Sequence, residues 1–154
     1  MHDVLVIYHS QEHGNTEALA KLIAQGILEG DGTQVTMINT NEAQRVDMDR
    51  LTRCDGLAIG SPDYYSYVAG TIKQLFDDIY VARTQQGMDF SEIPCVLFMT
   101  HGGGGRAIAP FRQLGKQLNV VAEPYACQRT PPQGCPEAVE LGRALRRAIG
   151  PRQG

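Results

Sequence analysis

The sequence contains no tryptophan, no C-x-x-C pair and no long apolar run. A membrane-spanning helix needs roughly 18–20 apolar residues, and nothing here approaches that length. The first apolar run, Val4–Ile7, is short and has no basic leader before it, so it reads as a strand rather than a signal peptide. Basic residues are also scarce. Lys and Arg number 14 against 17 Asp and Glu, a net charge of −3 spread along the chain. That balance lacks the basic stripe of a nucleic-acid surface. The four cysteines, Cys54, Cys95, Cys127 and Cys135, have no metal-ligand spacing, and the expectation is free thiols in a reducing cytoplasm. His2, His9, His13 and His101 form no spaced pair, so no metal site is expected.

What is present is an alternation of strands and helices over 154 residues, a length that fits one domain over residues 1–154. Val4–Tyr8 reads as a strand buried on both faces. Thr16–Gly30 reads as a helix, with Leu19, Leu22, Ile23 and Ile27 on one stripe. Strands follow at Gln34–Ile38, Gly56–Ile59, Cys95–Met99 and within Asn119–Cys127. Between them the expected helices are a short one in Asn41–Arg53, a long one over Ala69–Arg83, one within Ala107–Leu118 that Pro110 restricts, and a last one at Pro136–Ile149. The order βαβαβαβαβα implies a parallel sheet covered on both faces.

Open parallel sheets bind ligands at the carboxyl ends of their strands. Three such ends carry unusual loops. Ser10, Gln11, Glu12, His13, Gly14, Asn15 and Thr16 precede the first helix, whose free N–H groups attract an anion; the alternative is that Asn15 or Thr16 only caps the helix. Ser61, Pro62, Asp63, Tyr64, Tyr65, Ser66 and Tyr67 put three tyrosines after the third strand, to stack on a flat ring or to pack on helices. Thr100, His101 and Gly102, Gly103, Gly104 and Gly105 follow the fourth, offering bare backbone to a ligand edge or forming a flexible turn.

Together these motifs resemble the flavodoxin family: Y-H-S-Q-E-H-G-N-T-E at 8–17, G-S-P-D-Y-Y at 60–65 followed by A-G-T-I-K-Q-L-F-D at 69–77, and T-H-G-G-G-G at 100–105. The resemblance spans essentially the whole chain. It implies a flavodoxin-like three-layer α/β sandwich, with five parallel strands in the order 2-1-3-4-5 and FMN at the switch point. It further implies that Ser10, Gln11, His13, Gly14, Asn15 and Thr16 surround the FMN phosphate. Ser61, Pro62, Asp63, Tyr64, Tyr65 and Ser66 would then line one side of the isoalloxazine. Thr100, His101 and Gly102–Gly105 would meet its pyrimidine edge. The phosphate loop departs from the family's S-x-T-G-N-T: it is one residue longer, and Glu12-His13 stands where the middle Thr is expected. His13 is the natural replacement contact. The insertion that splits strand five in long-chain flavodoxins is not expected here.

No protein nucleophile stands out, so the redox chemistry belongs to the flavin. Two functions follow from the resemblance: a small flavoenzyme passing electrons from NAD(P)H to a quinone or similar small acceptor, or a one-electron carrier serving a redox partner protein. A non-catalytic flavin-binding module is the third. The modest net charge, and His101 and Arg106 in the third loop, lean toward two-electron chemistry if those side chains face the ring rather than solvent. The segment Tyr80–Phe90 is either an interface loop or a solvated connection.

Overall fold

In the computed structural model, residues 1–11, 13–43 and 45–150 are described. The elements run β1 (His2–Tyr8), α1 (Asn15–Ile27), β2 (Thr33–Asn39), α2 (Met48–Arg53), β3 (Gly56–Tyr64), β4 (Tyr67–Val68), α3 (Gly70–Gln85), β5 (Pro94–His101), α4 (Ile108–Gly115), β6 (Asn119–Val120), β7 (Tyr125–Gln128) and α5 (Pro136–Ala148). The sheet order is β2-β1-β3-β5, with β6 and β7 both pairing the outer edge of β5. All of these pairings are parallel. This is the expected order 2-1-3-4-5 and the expected flavodoxin-like fold.

Seven strands stand where five were expected, for two reasons. The fifth position is broken: β6 meets Pro94 and Cys95, β7 meets Phe98–His101, and the chain leaves the ladder between them after Val121, whose N–H still donates to Cys95 O at 2.9 Å. Pro124 cannot donate a ladder hydrogen bond, which favours the break. The third strand also continues past Ile59 to Tyr64 and folds back antiparallel onto β4 through a two-residue turn. The weak helix expected within 41–53 shrinks to Met48–Arg53, capped by the Asp47 carboxylate, which accepts from Asp49 N at 3.0 Å. The helix after β4 runs on to Gln85, so the connection expected at 80–90 is mostly helix. Pro110 sits in the first turn of α4, where its missing N–H costs nothing.

Strand alternation divides β1 between two cores. Val4, Val6 and Tyr8 join Leu19, Ile23, Ile27, Leu141 and Leu145 on the α1/α5 face. Leu5 and Ile7 join Leu57, Ile72, Phe76, Ile79 and Phe111 on the other. A period of two in the strand and of 3.6 in the helix gives this sorting. On the first face α1 and α5 come very close. A Cβ at Gly26 would lie 2.0 Å from Val139 O, and one at Gly142 would lie 2.0 Å from Ile23 O.

All four cysteines are free and buried. Burial, helped by the negative charge of Asp3, pushes the Cys54 thiol from an ordinary 9.0 up to about 12. Burial pushes Cys95, Tyr8 and Tyr125 up as well. A raised value means that the folded chain keeps a proton the unfolded chain gives up. Stability is therefore intact below pH 9 and declines between about pH 9 and 12. Each of the two buried thiols, Cys54 and Cys95, contributes a slope of at most about 1.4 kcal/mol per pH unit there, and the two more solvent-screened phenols less. Urea midpoints measured from pH 8 to 11 should fall steeply, and Cys54→Ala should make that fall shallower.

Candidate functional site

The ends of β1, β3 and β5 open on one edge of the sheet, as parallel pairing requires. Between them lies a cleft of about 350 Å³ lined by Ser10, Gln11, His13, Gly14, Asn15, Thr16, Pro62, Tyr64 and Thr100. Nine of the residues singled out in the sequence thus meet in one place.

The loop before α1 is built to leave donors free. Gly14 holds the N-cap position at φ 66°, ψ 19° and brings no side chain of its own to cap the helix. A left-handed backbone at that point suits glycine, and space lies open where a Cβ would stand. Gly14 N–H donates back to Gln11 O at 2.8 Å, and Ser10 Oγ accepts from Glu17 N at 3.2 Å. Among the described residues nothing accepts from the N–H groups of Asn15 and Thr16. Capping by Asn15 or Thr16 is therefore not their role here.

Side chains fix this loop from three directions. Ser10 and Asn39 exchange two hydrogen bonds: Ser10 N–H donates to Asn39 Oδ1 at 3.0 Å and Asn39 Nδ2 donates to Ser10 O at 3.1 Å. The buried Thr16 and Thr100 hydroxyls lie 2.7 Å apart, joining α1 to β5. Thr130 Oγ1 donates to Asn15 Oδ1 at 3.0 Å from the loop after β7. Tyr8 donates to Glu17 Oε1 at 2.8 Å, and burial with that carboxylate keeps the phenol protonated. His13 is exposed at the cleft, while Glu12 lies outside the described residues.

The second loop is a hairpin. Asp63 pairs Val68 and Tyr64 pairs Tyr67, so Tyr65 and Ser66 form a two-residue turn with φ 56° and 67°. Two positive φ values define a type I′ turn, normally filled by Asn or Gly. Tyr65 is fully exposed at its tip. Tyr64 reaches the cleft and donates to Gln11 Oε1 at 2.6 Å. Ser61 does not reach it: the residue is 0% exposed, and its hydroxyl donates to Pro62 O at 2.8 Å and accepts from Ala69 N at 2.9 Å. Asp63 is also committed to structure, accepting from Ser66 N at 2.8 Å and Ala107 N at 3.1 Å, and so ties the second loop to the third.

The third loop stands on the rim. Gly102, Gly103 and Gly104 are exposed, with φ values of 156°, 77° and 58° at Gly103, Gly104 and Gly105. His101 is half-buried against Gly105, where a Cβ would meet its ring at 3.4 Å. Its Nδ1 is buried without a partner among the described residues. Arg106 is exposed.

Asn39, Thr130 and His9 belong to the site's frame and were not singled out in the sequence. Asn39 carries no local signal beyond ending a strand. The mixture present is two N–H groups at a helix start that meet no acceptor among the described residues, open glycine backbone, buried hydroxyls and an aromatic wall. It fits a ligand carrying an anion at one end and a flat ring at the other. Among the described residues no group of His, Cys, Asp or Glu can hold a metal ion, and no helix is long and apolar enough to cross a membrane.

No family model matches the chain. A protein of Aquifex aeolicus (strain VF5) named flavodoxin is 36% identical over 120 residues, 77% of this chain and 62% of that protein. The match thus spans less than two thirds of the relative's length. Among solved structures, a flavodoxin from the domain Archaea superposes with a TM-score of 0.79 at 22% identity, over 96% of this chain and 98% of that one. The rubredoxin oxygen:oxidoreductase of Desulfovibrio gigas superposes with a TM-score of 0.82 at 16% identity, over 96% of this chain but 36% of that one. These two likenesses are ones of fold.

Proposed function

We infer that the chain belongs to the flavodoxin family, whose members bind FMN, and propose that the cleft at 10–16 holds FMN and that the protein passes electrons from NAD(P)H to a quinone or a similar small acceptor. FMN supplies the electron transfer when bound. The protein's residues bind and orient it. The N–H groups of Asn15 and Thr16, with the Ser10 hydroxyl and His13, hold the phosphate. Tyr64 and Pro62 wall the ring, Tyr65 covers it from the hairpin tip, and the glycines of the third loop let its polar edge approach backbone. Ser61 and Asp63 act by holding the second loop in place.

The observation that carries the two-electron reading is His101, lodged under Gly105 with an unpartnered ring nitrogen. A group able to carry positive charge in that loop favours a fully reduced, anionic ring. The one-electron carrier is the second reading, favoured by the 36% identity to a protein named flavodoxin. A further part of the proposal is a single domain over 1–154 working in the cytoplasm. Anaerobic titration with FMN, then with NADH and NADPH, tests it. The expected result is a yellow complex reduced by one of the nucleotides in a single two-electron step. No reduction by either nucleotide, with two widely separated one-electron steps when dithionite is the reductant, would give the carrier reading instead.

A further inference from the structure

His9 follows β1 and is only 5% exposed. Its Nδ1 lies 2.6 Å from Thr71 Oγ1, in the first turn of α3, and Thr71 Oγ1 lies 2.7 Å from Thr40 Oγ1. The Thr40 hydroxyl donates to the Tyr8 carbonyl at 3.2 Å. A hydroxyl has one proton to give. Thr40 gives its proton to Tyr8, so Thr71 must donate to Thr40. Thr71 then has nothing left to donate, and the bond with His9 must run from Nδ1–H to Thr71. Run in this direction, the chain of hydroxyls takes a hydrogen bond from Nδ1–H of His9 and leaves Nε2 as the ring's other nitrogen. That Nε2 is buried and has no partner among the described residues.

An apolar side chain would fill the same space without burying an unpaired nitrogen. The imidazole does something else as well. Its ring meets Tyr64 edge to face, with centroids 5.6 Å apart and planes at 83°. Tyr64 is the aromatic wall of the cleft. The hydroxyl chain ends on a carbonyl, so it conducts no proton; it is an anchor. We propose that His9 is a positioning residue for the cofactor, locked by Thr71 and Thr40 as the Nδ1–H tautomer so that its ring sets the angle of Tyr64 against the bound flavin. This rests on the reading of the cleft as the FMN site.

Two variants separate the parts. His9→Phe keeps a ring but loses the donor; Thr71→Val keeps the shape of α3 but loses the acceptor. Both should weaken FMN and riboflavin equally, by about tenfold, because the aromatic wall shifts while the phosphate loop does not. Both should also shift the visible band of the bound flavin. Thr71→Ser should restore wild-type behaviour. Nitrogen NMR of the unliganded protein should show the Nδ1–H tautomer at His9, lost in Thr71→Val. An Nε2–H tautomer would overturn the proposal, as would folded Thr71→Val with both affinities within twofold of wild type and an unmoved spectrum. If His9→Phe does not fold, Thr71→Val and the tautomer still decide. Absence of flavin binding by the wild-type protein would bring down the FMN reading itself, an outcome distinct from binding that His9 does not influence.

Discussion

Gly142→Ala should lower the melting temperature by about 10 °C or more. The added carbon would stand 2.0 Å from Ile23 O and 3.0 Å from Ile27 N, both backbone atoms of α1. Backbone in mid-helix cannot turn aside as a side chain can, so α1 and α5 must move apart. That separation opens the core of Leu19, Ile23, Leu141 and Leu145. The cost is about 3 kcal/mol or more, at the upper end for overpacking. Gly26→Ala should cost a similar amount, since its Cβ meets Val139 O at 2.0 Å. Gly70→Ala is the control: at the start of α3 a Cβ there meets nothing within 4 Å, and the change should be neutral or slightly stabilising. A fall of less than 2 °C in Gly142→Ala, read by calorimetry, would mean that the two helices are not in backbone contact.

The second large effect is on the ligand. Asn15→Ala together with Thr16→Ala should weaken FMN by about a hundredfold while riboflavin, which lacks the phosphate, changes by about threefold or less. The N–H groups remain in the double variant, so the loss comes from how they are held. Asn15 is fixed by Thr130, and Thr16 by Thr100. Without those ties the first turn of α1 loses two of its connections to neighbouring elements. Removing the Thr16 hydroxyl also leaves the buried Thr100 hydroxyl without its partner, and Thr16→Ser is the variant that keeps it. Fluorescence titration with the two flavins in parallel reads the difference. Equal weakening of both ligands would remove the phosphate from this loop.

Much of this architecture is readable from the chain. The apolar spacing of Leu19, Ile23 and Ile27 gives α1 and its buried face, and the apolar run at the N-terminus gives β1 buried on both sides. Nine residues named from three loops do meet at one cleft. What escaped has physical reasons. Pro62 inside a strand argues against that strand, yet its partner in register is Thr100 on β5, and β3 continues through it. The hairpin turn uses Tyr65 and Ser66 where the residues that relieve a positive φ are Asn and Gly, so no turn signal exists. Ser61 looks like a ligand residue by motif, but its hydroxyl is taken up by Ala69 N–H, just before α3. His9 shows its importance only through Thr71, 62 positions away. Such a partnership has no period or spacing to betray it.

The interrupted fifth strand leaves Val96 and Leu97 without register partners on that side, and Leu97 lines a shallow hollow with Arg112, Gly115 and Pro124. The break lies at the edge of the sheet, away from the residues that line the cleft. Additional sequence could enter the chain at 121–124 with both flanking strands already anchored to β5, and only a modest loop-closure entropy would oppose it. For protein engineering, this makes the gap a ready port: a recognition segment grafted there would give the protein a new address without touching the cleft.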